Sequence, residues 1–246
     1  MIPPNPSPTS IVELACTDPE LAGQTHETLL GLTGTPDGEG RPETLLLGNT
    51  RLRLRQASAV DDGADAGHRV YFTVDDVPAM QRLLTRRGFP VVESSVGVIG
   101  ETTPLGVAAR EPAAESGPAG DVTGMDHLVF TCDNRDRAVA LFGGVFDLDF
   151  RLDQPIGDNA RQLFFRAGDL IVEVVTAVAS TEPPTPAVTS LWGVAWRSTD
   201  VEATHARLSA AGLELSEIRT GRKRGTSIFT VRERALGTRT VIIGPA

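Results

Sequence analysis

The chain of 246 residues sets 23 Lys and Arg against 32 Asp and Glu, a net charge of −9, with 40% apolar and 22% charged residues. That length suits one large domain or two of about 120 residues, each able to bury its own core, and no apolar run is long enough to cross a bilayer. The acidic balance speaks against a nucleic-acid partner, whose phosphates need a basic face, and favours neutral or cationic small ligands.

The opening "MIPPNPSPTS" lacks the basic start and apolar core of a secretory signal and reads as a loose Pro-rich tail. Cys16 and Cys132 have no paired spacing of a redox or zinc motif, so reduced, buried thiols in a cytoplasmic protein are expected. "IVELAC" then alternates as a strand. Asp18 and Pro19 open a helix through "PELAGQTHETLLGL", and "ETLLLG" and "TRLRLRQA" follow as strands. Next, "RVYFTV" leads through Asp75 and Asp76 into the helix "VPAMQRLLTRRG", and "PVVESSV" and "GVAARE" close the first half.

The Pro, Gly, Ala and acid-rich segment Arg110 to Gly124 has no apolar period, which places a linker at 113–123 between domains 9–112 and 124–246. "HLVFTC" alternates again. Asn134 caps a helix through "RDRAVALFGGVF", and "FRLDQ", "RQLFFR" and "LIVEVVTA" are strands. The order restarts with "WGVAWRS", a helix "VEATHARLSAAG" capped by Asp200 and ended at Gly212, then "LELSEIRT", "SIFTVRE" and "RTVIIG". Four units of about 60 residues repeat strand, helix and a run of strands, an α+β pattern with helices on the outer face of curved sheets.

"MDHLVFTCDNRDRAVALF", "GDLIVEVV" and "AWRSTDVEATHARLSAAG" resemble the vicinal oxygen chelate superfamily, the group of glyoxalases, bleomycin-resistance proteins and extradiol dioxygenases. The resemblance is strong for 124–245 and weaker for 11–112. It implies four βαβββ modules in two glyoxalase-like domains, with curved, mostly antiparallel sheets enclosing clefts. In metal-dependent members, ligands project from the first and last strands of the modules. His127 falls on the first-strand ligand position and Glu173 on the glutamate position of the same module. Strand parity agrees, since His127, Val129 and Thr131 share a face and Glu173 shares one with Ile171.

An imidazole and a carboxylate suit Zn²⁺, Fe²⁺, Mn²⁺ or Ni²⁺ and leave positions open for vicinal substrate oxygens. The resemblance therefore implies a lyase or isomerase acting on a small molecule in the C-terminal cleft, by a metal at His127 and Glu173 or by those two as an acid–base pair. The other ligand positions of that half align with Gly193 and with Val241 or Ile242, which argues against an extradiol dioxygenase. The alternative is a metal-free protein of the bleomycin-resistance kind that sequesters a small ligand. The first half has lost the ligand set: Ile11 stands where His127 does, Arg53 where Glu173 does, and Arg69 at the remaining histidine position, with His68 one residue off. "RLRLR" places Arg51, Arg53 and Arg55 on one face, a cationic cleft able to hold an anion.

Among the remaining residues, His26 and His205 read as surface or boundary helix residues and His68 as a solvated loop histidine. Trp196 reads as core. Trp192 reads as core by default or as a stacking surface for an aromatic substrate, and Arg197 pairs with Asp200 or faces ligand. "GRKRG", Gly221 to Gly225, reads as a solvated hairpin turn, or as a lid gripping a carboxylate or phosphate. Monomer and homodimer are both open.

Overall fold

The computed structural model describes residues 9–32, 44–58, 67–110, 120–177 and 189–246. The N-terminal tail and most of the expected linker lie outside them. The first unit is β1 (Ser10–Cys16), α1 (Pro19–Leu30), β2 (Thr44–Leu47) and β3 (Thr50–Gln56); the second is β4 (Arg69–Val74), α2 (Val77–Arg86), β5 (Val91–Glu93), β6 (Gly97–Gly100) and β7 (Leu105–Ala109). The third is β8 (Val122–Cys132), α3 (Arg135–Ala138) with a π-helical continuation Val139–Val145, β9 (Asp149–Ile156), β10 (Ala160–Ala167) and β11 (Leu170–Ala177). The fourth is β12 (Thr189–Ser198), α4 (Val201–Ala210), β13 (Arg219–Thr220), β14 (Thr226–Val231) and β15 (Arg239–Pro245). Among the described residues, no helix is long and apolar enough to cross a membrane.

Each helix starts where a side chain can satisfy an orphan backbone donor. Asp18, Asp76, Asn134 and Asp200 accept from the backbone N–H of Leu21, Ala79, Arg137 and Ala203. Replacing Asp200 with Ala removes one such cap, and we expect a loss of about 1 kcal/mol in chemical denaturation.

Two sheets result, in the orders β2-β3-β1-β4-β7-β6-β5 and β13-β14-β15-β12-β8-β11-β10-β9. They follow one rule. The first strands of two units pair antiparallel (β1 with β4, β8 with β12), and each first strand lies parallel to the last strand of its own unit. Both sheets are thus assembled around a local twofold, as the expected α+β repeat of βαβββ units requires.

Three elements differ from expectation. β6, a four-residue Gly-bounded strand, carries too little alternation to be seen. "LELSEIRT" forms a strand only at Arg219–Thr220, with a single further bridge from Leu215 to Val231, because the Ser216 hydroxyl donates to Glu217 O and accepts from Thr230 N, a local pairing that competes with the sheet. The helix after Asn134 widens into a π turn at Val139–Val145, where Phe142 wedges between Phe130 and Phe165 at centroid distances of 5.2 and 5.5 Å and Gly143 and Gly144 follow.

The helix-bearing faces of both sheets share one core, with Val12, Leu14 and Phe72 of the first half joined to Leu128, Phe130, Phe142 and Trp196 of the second. Phe146 ties the halves together, meeting Phe72 and Phe89 edge-on at 5.6 and 5.1 Å. Polar contacts reinforce the junction. The Asn49 carboxamide donates to Met125 O and accepts from Met125 N, both at 3.0 Å. Arg207 of α4 donates to the Thr28 and Leu29 carbonyls at the end of α1 and pairs with Asp121. The opposite faces of the sheets carry His127 on one and Glu13 on the other, the latter beside a second buried cluster of Ile11, Tyr71, Ile99 and Ala108.

Candidate functional site

The open face of the eight-stranded sheet follows from strand parity. Leu128, Phe130 and Cys132 are buried on the helix side, so His127 and Val129 point the other way. Glu173 sits on β11 opposite Val129, one step from His127. Pairing between β8 and β12 then slips by one residue: Ala195 faces His127 while Trp196 faces Met125. Asp126 is the extra residue of this bulge, and the bulge turns its side chain toward its neighbour His127 instead of to the opposite face.

A continuous polar chain crosses this face. The His127 Nδ1 lies 2.9 Å from Asp126 Oδ1, and its Nε2 lies 3.8 Å from Glu173 Oε2. Asp126 Oδ2 is 3.5 Å from Arg197 Nε. Glu173 Oε1 accepts from the buried Gln162 side-chain amide. The Gln162 oxygen in turn accepts from Gln154 Nε2 at 2.9 Å and from Arg222 Nη1 at 3.3 Å. Burial opposes ionisation of Asp126, but the hydrogen bond and charge of His127, with Arg197 and Lys223, outweigh it and hold the carboxyl below the usual Asp range. Asp126 is therefore a fixed anion that receives the Nδ1 proton and aims Nε2 at Glu173.

That arrangement bears on metal binding. An ion about 2.1 Å from both donors fits a 3.8 Å gap, and a histidine whose second nitrogen is held by a carboxylate is the usual setting of a ligand. Against this, the described residues contain no group of three or more His, Cys, Asp and Glu able to hold an ion. The residues fit a two-donor site that water or substrate oxygens must complete.

The twofold register identifies the equivalent positions. Because Gly193 pairs with Val129 and Ala195 with His127, Gly193 occupies on β12 the place of His127 on β8. Because Ala195 pairs with Val241, Val241 rather than Ile242 stands where Glu173 does. A Cβ at Gly193 would lie 2.8 Å from Arg239 O, so β15 closes that position to any larger side chain. In the other sheet the equivalent places are Ile11, Arg53, Arg69 and Gly106, from the pairings Ile11–Arg51, Glu13–Arg53, Glu13–Arg69 and Tyr71–Gly106.

Of the other expected site residues, Arg197 does reach the cleft but pairs with Asp126, while Asp200 is occupied as the cap of α4. Trp192 is the extra residue of a second bulge in β12 and is 40% exposed. Arg239 lies 4.7 Å from its ring centroid, so one face of the indole is already covered. Arg53 sits on the other sheet beside Glu13, which the expectation of a purely cationic face had overlooked. Lys223 and Arg224 stay exposed on the hairpin turn while Arg222 reaches Gln162.

Two histidine expectations are corrected. His26 is fully buried among Ala22, Leu29 and Leu30, with which it shares a helix face. His68 is also buried, its Nδ1 accepting from Ala15 N, because the chain turns inward to start β4. His205 is half-buried against Phe229. Cys16 and Cys132 are buried free thiols, and burial pushes Cys16 up to about 11. Sequence reading missed Asp126, because only the bulge brings it round, and Gln162, whose parity in "RQLFFR" was legible. A cavity of about 280 Å³ lies away from this chain, between Phe89, Pro90 and Glu101 and the face of Arg137, Leu141 and Val145.

Residues 126–230 match the model of the glyoxalase/bleomycin resistance protein/dioxygenase superfamily. Among solved structures, a mutant 4-hydroxymandelate synthase from Streptomyces coelicolor is similar with a TM-score of 0.65 and 16% identity, covering 98% of this chain and 93% of that one. Its two-sheet fold is the fold seen here. Methylmalonyl-CoA epimerase from Mycobacterium tuberculosis is similar over 54% of this chain and 94% of that one, with a TM-score of 0.44 and 16% identity. No curated protein matches the chain in sequence.

Proposed function

We propose that this chain, which carries a glyoxalase/bleomycin resistance protein/dioxygenase superfamily domain at residues 126–230, is a small-molecule enzyme of lyase or isomerase type, with residues 124–246 forming its reacting domain and 9–112 a second domain. The observation that carries this is His127 held between two carboxylates, Asp126 at 2.9 Å and Glu173 at 3.8 Å. A structural histidine needs one partner. A histidine fixed from behind by an ionised Asp, with its other nitrogen facing a second carboxylate across an open gap, is set to exchange a proton with something placed between them.

In this reading Glu173 accepts a proton from a carbon next to a carbonyl, and the Nε2–H of protonated His127 supports the oxygen on which negative charge develops. Gln162 orients the Glu173 carboxylate from its far side, and Asp126 keeps the imidazole from rotating. Arg197, Arg222 and Lys223 near this face favour an anionic substrate, even though the whole chain is acidic, because screening confines each charge to its surroundings. A divalent ion held by His127 and Glu173 would act as a Lewis acid toward vicinal oxygens of the substrate.

The test is deuterium wash-in. In D₂O, a panel of 2-oxo- and 2-hydroxycarboxylates is expected to include members that exchange the proton on the carbon next to a carbonyl, C3 of the 2-oxo acids and C2 of the 2-hydroxy acids, far faster with the protein than without it, followed by ¹H NMR. A second reading, metal-free sequestration of a small ligand, is favoured by the lack of a third donor among the described residues and by exposed Trp192. Tight binding across the panel with no exchange would select it. Metal dependence is tested separately. Protein purified without chelator is expected to bind Zn²⁺ or Mn²⁺ at least ten-fold more tightly than its His127→Ala variant in calorimetry, and equal affinity would remove the metal from this reading.

A further inference from the structure

The turn 221–225 carries three consecutive cations, Arg222, Lys223 and Arg224, in a chain that is acidic overall. Among the described residues, no carboxylate stands within ion-pair distance of any of them. The turn is fixed at its base. Gly221 N donates to Thr226 O at 2.8 Å, the Thr226 hydroxyl donates to Lys223 O at 2.6 Å, and Ala246 N reaches Gly225 O at 3.1 Å. It joins β13 to β14 at one end of the sheet order, yet Arg222 bonds Gln162 on β10, second from the other end. The eight-stranded sheet therefore curls until this turn lies across the face that carries His127.

The side chains of the turn meet different groups. Lys223 stands close enough for its charge to act on Asp126, which Arg197 of β12 also approaches at 3.5 Å. Arg222 donates at 3.3 Å to a neutral amide oxygen, and Gln154 already satisfies that oxygen at 2.9 Å. Arg222 can thus leave Gln162 for a carboxylate without orphaning a buried acceptor, and the charge-assisted bond it gains is about twice as strong as a neutral one.

The strand order β12-β8-β11-β10 puts two cationic positions on opposite flanks of the reacting pair, Arg197 and Lys223 on the His127 side and Arg222 beyond Glu173. From β12 to β10 is three strand spacings, about 14 Å along the sheet. One carboxylate, bonding its donors at about 2.8 Å, does not meet both. The row is accessible: the side chains of His127, Glu173 and Arg197 are 20%, 14% and 42% exposed, and residues 222–224 are exposed.

We propose that Arg222 is a specificity-determining residue for a substrate with two carboxylates, a short 2-oxo diacid. The orientation of this substrate rests on the proton transfer proposed for His127 and Glu173. With the carbonyl oxygen on His127 Nε2 and the acidic carbon against Glu173, the carboxylate next to the carbonyl points away from Glu173, to Arg197 and Lys223. The rest of the chain runs past Glu173 toward β10, where Arg222 takes the second carboxylate in exchange for Gln162.

Calorimetry and deuterium wash-in on the full-length protein test this with two five-carbon probes. 2-Oxoglutarate and 2-oxovalerate differ in ending on a carboxylate or a methyl group. 2-Oxoglutarate is expected to bind at least ten-fold more tightly, the worth of one charge-assisted hydrogen bond, and to exchange faster below saturation. Arg222→Gln, at an exposed position, should reduce that preference to within about two-fold. Arg224→Gln takes the same charge from the same turn and should keep the preference, which separates a specific grip from general attraction. No binding of 2-oxoglutarate, equal binding of the two probes, or a preference that Arg222→Gln leaves in place or Arg224→Gln removes would overturn the proposal, even if both probes exchange. A preference lost in Arg222→Gln, with no exchange of either probe, would instead remove the acid–base reading and leave the diacid grip standing.

Discussion

Replacing Glu173 with Gln is expected to slow deuterium wash-in by about 10²- to 10⁴-fold, the usual worth of a positioned acid–base group. The substitution is nearly isosteric. Gln162 still has an oxygen to bond, and the packing of β11 against β8 does not depend on the charge. Loss of exchange with unchanged ligand affinity would therefore mark Glu173 as a base rather than a binding contact. Asp126→Asn tests the positioning role behind it. An amide cannot hold His127 as an ionised carboxylate does, so we expect the pH profile of exchange to move together with its rate. Should Glu173→Gln exchange at the wild-type rate, proton transfer by this pair would be abandoned.

The second large effect is on stability in acid. Burial, only partly opposed by the bond of its Nδ1–H to Ala22 O, lowers His26 from 6.5 to about 4. The folded state thus keeps His26 neutral where the unfolded chain protonates it. Between pH 6.5 and pH 4 the unfolded state binds the extra proton, so stability is complete above this window and falls as pH drops through it. The loss sums to about 3 kcal/mol at about 1.4 kcal/mol per unit. Denaturant unfolding at steps from pH 7.5 to 4 should show that fall in wild-type protein and a shallower one in His26→Gln, whatever the substitution costs at neutral pH. Parallel slopes for the two proteins would show that His26 titrates normally in the folded state.

How much of this was legible in the sequence depends on whether a feature lives in local chemistry or in register. The four helix caps at Asp18, Asp76, Asn134 and Asp200 could be read directly, because a cap is a contact within three residues. The fourfold unit followed from the repeated order of alternating runs and helices, and the pairing of His127 with Glu173 came from the family resemblance, with which the alternation in β8 and β11 agrees. His26 was misread although its spacing from Ala22, Leu29 and Leu30 put it on the buried stripe; residue type was allowed to outweigh period. Asp126 could not have been found that way, since alternation sends it to the opposite face and only a slip against β12 returns it. Glu13 was within reach, sharing its parity with Ile11, but its meaning depended on cross-strand partners 40 and 56 residues away at Arg53 and Arg69.

The Asn49 clasp on Met125 has a consequence for how the two halves can change over time. Met125 immediately precedes the bulge that aims Asp126, so the strand presenting His127 takes part of its shape from a loop belonging to the other sheet. Mutations that loosen that loop would therefore be felt first at a histidine it never touches.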